Sequence, residues 1–394
     1  MWNLRIQFKI ALNSLIGIRR LLNLIGLFPV KRVPPPVIDK TPVVGIKWRI
    51  MENSSAGKSL NVKKVPAPQQ SATDHYAKFE RRLDDWEVFK NAATSAEPHW
   101  FKDLLSLWCP SGHSSGADGL RIAIRNNYLN FYRLGQSIAR VECVKGVLRA
   151  DVHYKYILGE PLGYSGPLYL RLTTKGVFSK GAMVATYEGP ATLHQWIAVA
   201  GEEKYAGVEK SIVDELVAKN EHVVDLEMAL PAWARSKAAV RMDLVAIEDR
   251  KVVFWEVKMV NDPRIRCEAE FEKDKTPHVL EQLSHYRDFL EQDDHIEQVE
   301  LAYRKTAKIL VDLRKLADKI GPPLKLADSI TAASRANTLT VAPLAALVVV
   351  DLPAPKDNGP SWKSWKDRHE RKLLGKIPMR VLESSGPLKF AGAQ

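Results

Sequence analysis

Cysteine is scarce: Cys109, Cys143 and Cys267 are the only three in 394 residues. They are far apart and form no C-x-x-C pair. That excludes a disulfide framework and a zinc ribbon, and it points to a reducing, cytoplasmic setting. Long apolar runs are also missing. No stretch of about 18 residues is apolar and uncharged, so no membrane span is expected. No acid precedes Asp39, and residues 6–28 are largely apolar but carry Lys9, Arg19 and Arg20. Such a segment suits an anionic membrane surface, a targeting peptide, a frayed helix or an extension upstream of the true start. It lacks a small-residue cleavage site behind a clean apolar run, so a secretory signal fits poorly. There is no internal repeat, P-loop or helicase motif, so any ATP-driven tracking would need a partner.

Positive charge is present but unevenly spread. The net charge is +12. Residues 1–75 hold twelve Lys/Arg against three Asp/Glu, and residues 354–394 hold nine against four, which leaves 76–353 at −2. Attraction to a polyanion therefore resides in the flanks and in local patches rather than over the folded middle. An apolar fraction of 45% is that of a globular chain with a real core.

Four segments follow from composition. Residues 1–75 are a basic segment and a linker broken by Pro34-Pro35-Pro36 and Pro66-Ala67-Pro68. Residues 76–200 read as a small α+β accessory domain. It holds a β-meander over 120–124, 128–132, 137–141 and 147–156, with turns at Asn126-Asn127, Gly135-Gln136 and Lys145-Gly146. Its aromatics (Tyr128, Phe131, Tyr132, Tyr154, Tyr156) lie near Arg125, Arg133 and Arg140 in sequence, which suits either nucleotide stacking or an ordinary core. The segment is also a candidate surface for a protein partner. Residues 201–353 run helix, strand, hairpin, helix, helix, strand, ending in the apolar run 344–350 expected of a buried strand. Residues 354–394 read as a basic tail carrying Trp362 and Trp365, a composition that fits nucleic-acid binding or plain disorder.

The chemistry concentrates on the hairpin. Residues 242–247 and 252–257 flank Asp249-Arg250. A two-residue turn there pairs Ile247 with Val252, Val245 with Phe254 and Asp243 with Glu256. Alternation puts Asp243, Glu256 and Lys258 on one face, with Val253, Trp255 and Val257 on the other. Directly opposed carboxylates, about 5 Å apart at Cβ, repel unless something offsets them. A divalent cation with oxygen ligands at about 2.1 Å does so. Lys258 then stands where it can orient a water nucleophile and offset charge on a phosphate.

The preceding helix carries Val208, Ile212, Val213, Leu216 and Val217 at helical spacing. At roughly 100° per residue, Glu209 falls within that stripe, Glu215 at its edge, and Lys210 and Asp214 point away. Glu209 is the acid expected to serve, with Glu215 as fallback. The following helix has Val279, Leu283, Tyr286 and Leu290 as its core stripe, flanked by Gln282. Arg264 and Arg266 suit either phosphate contact or a solvated turn. His113, in a Ser/Gly loop, has no second ligand near it in sequence.

The order helix-Glu209, Asp243, Glu256-Val257-Lys258, then Gln282-Leu283-Ser284-His285-Tyr286 resembles the PD-(D/E)XK nuclease superfamily. Its Q-x-x-x-Y element is similar to the RecB and lambda-exonuclease branch. The resemblance covers residues 201–353 only, and Met242 stands where the family name has Pro. It implies an α/β fold: a restriction-endonuclease-like core, a mixed central sheet flanked by helices, preceded here by the accessory domain. It implies Mg²⁺ or Mn²⁺ on Asp243, Glu256, the Val257 carbonyl and Glu209. Lys258 would serve the nucleophile, and Gln282 and Tyr286 would orient the DNA strand or Lys258. With only Cys267 in the domain, no iron–sulfur cluster is expected. The activity implied is metal-dependent DNA hydrolysis. Alternatives are a silent nuclease fold that binds nucleic acid or regulates, and a defence effector whose accessory domain senses a partner.

Overall fold

Tight turns and alternating apolar residues build the first of two sheets. In a computed structural model the described residues are 78–159, 164–231, 240–265, 277–292, 294–351, 370–383 and 386–390. All fall within one compact unit, Ser71–Gln394. Two short helices, α1 (Trp86–Thr94) and α2 (Trp100–Ser106), lead into a seven-stranded antiparallel meander. Its strands are β1 (Arg121–Ile124), β2 (Tyr128–Arg133), β3 (Gln136–Val144), β4 (Val147–His153), β5 (Tyr169–Thr173), β6 (Gly176–Ser179) and β7 (Ala182–Ala185). The helix α3 (Tyr154–Leu158) interrupts it after β4.

Leu134-Gly135, Lys145-Gly146 and Lys180-Gly181 each have both φ values positive. This is the type I′ geometry whose twist matches the flanking strands. The meander expected from sequence is therefore present and longer, with β5–β7 added. The last expected run stops at His153, where α3 begins.

After α4 (Pro190–Ala200) and α5 (Glu203–Lys219) comes the second sheet. Strands β8 (Val223–Ala229), β9 (Arg241–Glu248) and β10 (Lys251–Met259) pair antiparallel. A 3₁₀ turn (Pro263–Ile265) follows, then α6 (His278–Leu290), α7 (His295–Ala317) and α8 (Asp328–Arg335). The short β11 (Thr340–Val341) and then β12 (Ala346–Asp351) join β10 in parallel. After α9 (Arg371–Leu373), β13 (Met379–Glu383) adds in parallel to β12. The order β13-β12-β10-β9-β8 makes this sheet mixed. The described chain is thus mixed α/β, with two sheets and nine α-helices among the described residues. None of these helices is long and apolar enough to cross a membrane.

Two apolar clusters lie on opposite faces of the second sheet. Val245, Ile247, Val252 and Phe254 enter the larger one with Tyr286, Tyr303 and much of the meander's interior. Leu244, Ala246, Trp255 and Val257 enter the smaller one with Ile212, Val213, Leu216 and Val217 of α5. The period-2 alternation of β9 and β10 makes this division, and each fully buried side chain of this size contributes about 1.5–3 kcal/mol. Phe254 packs against Tyr286 (4.7 Å between centroids) and edge-on to Tyr303 (5.6 Å).

The tail expected over 354–394 is partly structured. Besides β13, Phe390 is buried edge-on against Trp255. Asn220 holds it there, accepting from the Phe390 amide (2.8 Å) and donating to the Leu388 carbonyl (2.8 Å). Trp362 and Trp365 lie outside the described residues, as does all of 1–77.

Buried ion pairs tie the sheets together. Asp225 of β8 is 1% exposed and receives Arg125 Nη1 (2.6 Å), Arg81 Nη2 (3.5 Å) and the Tyr303 hydroxyl (3.2 Å). Arg125 also donates to the Leu226 carbonyl at 2.7 Å. Burial alone would weaken its charge, but Asp225, together with Tyr132 and Tyr303, more than offsets that and raises the pKa. Arg133 is turned inward to Ser115 and the Gly116 carbonyl, and Phe131, Tyr132 and Tyr156 are buried. Most of the meander's aromatic and arginine set is therefore structural.

Candidate active site

The hairpin register is the one its turn dictates. Asp249 and Arg250 adopt φ values of 47° and 64°, a type I′ turn. Ile247 pairs with Val252, Val245 with Phe254 and Leu244 with Trp255. One step further the same register sets Asp243 opposite Glu256. There the ladder is completed by a side chain: Asp243 Oδ2 accepts from the Val257 amide at 2.7 Å.

Glu256 and Lys258 are almost fully buried, at 2% and 1% exposed. Lys258 Nζ donates to Glu256 Oε1 and, at 3.0 Å, to the Val257 carbonyl, and it lies 3.9 Å from Asp243 Oδ2. The expected convergence of Asp243, Glu256, Val257 and Lys258 is therefore present. Burial, then the neighbouring Asp243 charge, pushes the Glu256 carboxyl up to about 7, with Lys258 and Gln282 opposing. Asp243 is also raised, chiefly by burial, against the pull of Lys258 and the Val257 amide. Its side chain keeps 21% of its surface exposed, so water relieves part of that penalty.

The remaining candidates divide. Glu209 is half exposed and meets Arg264 Nη2 at 3.6 Å. Arg264 is clamped by Asp262 (2.5 and 3.0 Å), which burial would raise but Arg264 holds below its ordinary value. Glu209 and Arg264 thus reach the rim of the site as a pair, and Glu209 is close enough to raise Asp243. Gln282 donates to the Arg241 carbonyl at 3.3 Å, beside Glu256. Tyr286 does not face substrate: it is fully buried, and its hydroxyl donates to the Ala342 carbonyl at 2.9 Å. Arg266 lies outside the described residues, as does Cys267.

Three expectations for α5 need correction. Glu209, expected within the apolar stripe, is half exposed at the rim. Gly207 breaks the helix (φ 66°, ψ 173°), so Val208 is exposed rather than part of the stripe. Asp214, expected to point to solvent, is buried. The loop 110–119 covers that side of the helix, and Asp214 accepts from Ser115 Oγ (2.7 Å) and Arg121 Nε (3.0 Å). Glu215 is exposed and lines a cavity of about 650 Å³ that holds none of Asp243, Glu256 or Lys258.

Sequence reasoning missed Glu227. It sits on β8 between Leu226, which pairs with Leu244, and Met228, which pairs with Met242, so it faces Asp243 across the ladder. Its φ is 50°, and burial followed by the Asp243 charge raises its carboxyl. The signal was an acid within the otherwise apolar strand Val-Val-Asp-Leu-Glu-Met-Ala, whose other acid, Asp225, proved structural.

Among the described residues no three His, Cys, Asp or Glu side chains converge on one point. A cation here would take two carboxylates and a carbonyl. The donor set fits such an ion: Glu256 Oε2 is buried with no hydrogen-bond partner, and Asp243 and the Val257 carbonyl stand beside it. Comparison with protein-family models, with curated proteins and with solved structures finds no match for this chain.

Proposed function

We propose that the chain is a Mg²⁺- or Mn²⁺-dependent nuclease that hydrolyses phosphodiester bonds in DNA, on a core of the PD-(D/E)XK type. One observation carries the reading: a buried Glu256 oxygen without a partner, beside Asp243, the Val257 carbonyl and the Lys258 ammonium. A buried glutamate and lysine beside a half-buried aspartate cost a fold stability unless they do something together. The surroundings agree with the resemblance. A helix precedes an antiparallel β8-β9-β10 unit, β12 continues it in parallel, and α6 brings Gln282 to the same end.

When bound, the divalent ion would supply Lewis-acid activation of water and charge neutralisation at phosphorus. Asp243, Glu256 and the Val257 carbonyl would hold it. Lys258 orients the attacking water, whose oxygen forms the new P–O bond as the ester P–O bond opposite it breaks. The attacking water gives up one proton to solvent, and the departing oxygen takes one from solvent. Arg264, braced by Asp262 and Glu209, contacts a phosphate oxygen at the rim. Gln282 steadies Glu256, and Tyr286 braces the strand beneath.

The test is divalent-ion titration of the full chain by calorimetry, paired with cleavage of end-labelled DNA. Binding lost in Asp243→Ala together with metal-dependent products supports the reading. An ion that binds equally well in Asp243→Ala overturns the site. An ion that binds with no cleavage of single- or double-stranded DNA overturns the enzyme.

A further inference from the structure

We propose that substrate reaches the carboxylates as a single strand, through a cleft between the meander and β8; this rests on the nuclease reading above. The cleft encloses about 560 Å³, and its lining includes Lys78, Tyr128, Gly135, Lys210, Glu227 and Arg241. Asp243, Glu256 and Lys258 do not line the cleft itself; Glu227 and Arg241, which do, are the neighbours of Asp243. Arg241 precedes Asp243 by two residues on β9, and the β8–β9 register sets Glu227 opposite Asp243.

The charge along the cleft is arranged for an anion. Lys78 and Arg241 are exposed and Lys210 is half buried, and none of the three forms an ion pair among the described residues. By contrast, the arginines of the inner wall, Arg81 and Arg125, are spent on Asp225. Of the acids in the lining, Glu80 pairs with Arg82 (3.4 Å), while Glu227 lies in the field of Lys210 and Arg241 and offsets part of their charge. Tyr128 supplies a flat wall, with the Arg140 guanidinium 4.1 Å over its ring. A basic track with an aromatic face is how single strands are held without regard to sequence.

Burial selects the strand form. The Glu256 and Lys258 side chains are 3% and 1% exposed, so the scissile phosphate has to enter the recess. Duplex DNA is a rod with a persistence length of about 150 bp and keeps its phosphates on the outside. A single strand bends at each phosphate and can thread one inward.

The experiment measures binding of a fluorescein-labelled oligothymidine, and of a duplex of equal length, to the full chain carrying Lys258→Ala. The same is done with Lys210→Ala/Arg241→Ala added. The proposal expects single strand to bind at least tenfold more tightly than duplex. It expects the double substitution to weaken single-strand binding tenfold or more. The log-affinity against log-salt slope should fall by about 1.4, since each phosphate contact contributes about 0.7. Lys210→Arg/Arg241→Lys should keep most of the affinity, which separates charge loss from misfolding. Duplex bound as tightly as single strand, or an unchanged affinity in the double variant, overturns the path. The nuclease reading is judged separately: metal-dependent duplex cleavage by Lys210→Ala/Arg241→Ala would sink the path alone. Strand binding through the cleft with no cleavage under any metal would sink the enzyme alone.

Discussion

Asp243 closes the end of its own hairpin: its Oδ2 accepts a 2.7 Å hydrogen bond from the Val257 amide, where a backbone carbonyl would otherwise serve. One carboxylate thus shapes the strand end and stands ready as a metal ligand. Asp243→Asn keeps an acceptor oxygen and removes the charge. It should leave the unfolding temperature within a few degrees while lowering divalent-ion affinity at least tenfold. A variant that unfolds far earlier, or binds the ion unchanged, contradicts this division. Asp243→Ala should additionally lose about 1–3 kcal/mol, because the amide is left without a partner.

Glu256 sets the pH response. Its carboxyl titrates near 7 in the folded chain, against an ordinary value of 4.5. A raised carboxyl holds its proton more tightly folded than unfolded. In the metal-free chain its destabilising effect is therefore absent below about pH 4.5 and grows as pH rises toward 7. Divalent binding requires the ionised form, so affinity should rise through pH 7 with release of a proton. Calorimetry in two buffers of different ionisation enthalpy reads that proton directly. Affinity that is flat from pH 6 to pH 8 would contradict the assignment.

Tyr286 should behave as a structural residue. Tyr286→Phe removes one buried hydrogen bond, to the Ala342 carbonyl, and leaves the Phe254 contact. The expected loss is about 1 kcal/mol of stability, with the DNA-cleavage rate within twofold of the parent. A hundredfold loss of rate at unchanged stability would return the hydroxyl to the catalytic machinery.

Asp225 should matter to both sheets at once. Asp225→Ala strips the buried Arg125 and Arg81 of their counter-charge. Breaking such a pair costs about 3–5 kcal/mol. Because Arg125 follows β1 and Asp225 lies in β8, the loss should lower a single unfolding transition monitored by circular dichroism and by tryptophan fluorescence together. Two separated transitions would show that the meander and the mixed sheet unfold independently.

What could be read in the sequence was local. The Asp249-Arg250 turn fixed the pairing of Ile247 with Val252, and the alternation along 251–259 assigned Glu256 and Lys258 to one face. The missed features depend on neighbours remote in sequence. Asp214 is buried because Arg121 and Ser115 come from a loop and strand about a hundred residues earlier. Phe390 finds Trp255 across 135 positions and makes part of an apparent tail structural. The break at Gly207 needs a positive φ that helical periodicity does not report, and it moves Val208 out of the stripe. Glu227 joins the site only through the β8–β9 register, which no local pattern announces.

The most direct test of the central claim is single-turnover cleavage of end-labelled DNA by the full chain and by Lys258→Ala, with Mg²⁺ or Mn²⁺ and with EDTA. The account predicts metal-dependent products from the parent, none in EDTA, and a rate at least about 10²–10³-fold lower in Lys258→Ala at unchanged DNA affinity. Cleavage by Lys258→Ala at the parent rate, or products that persist in EDTA, would contradict it.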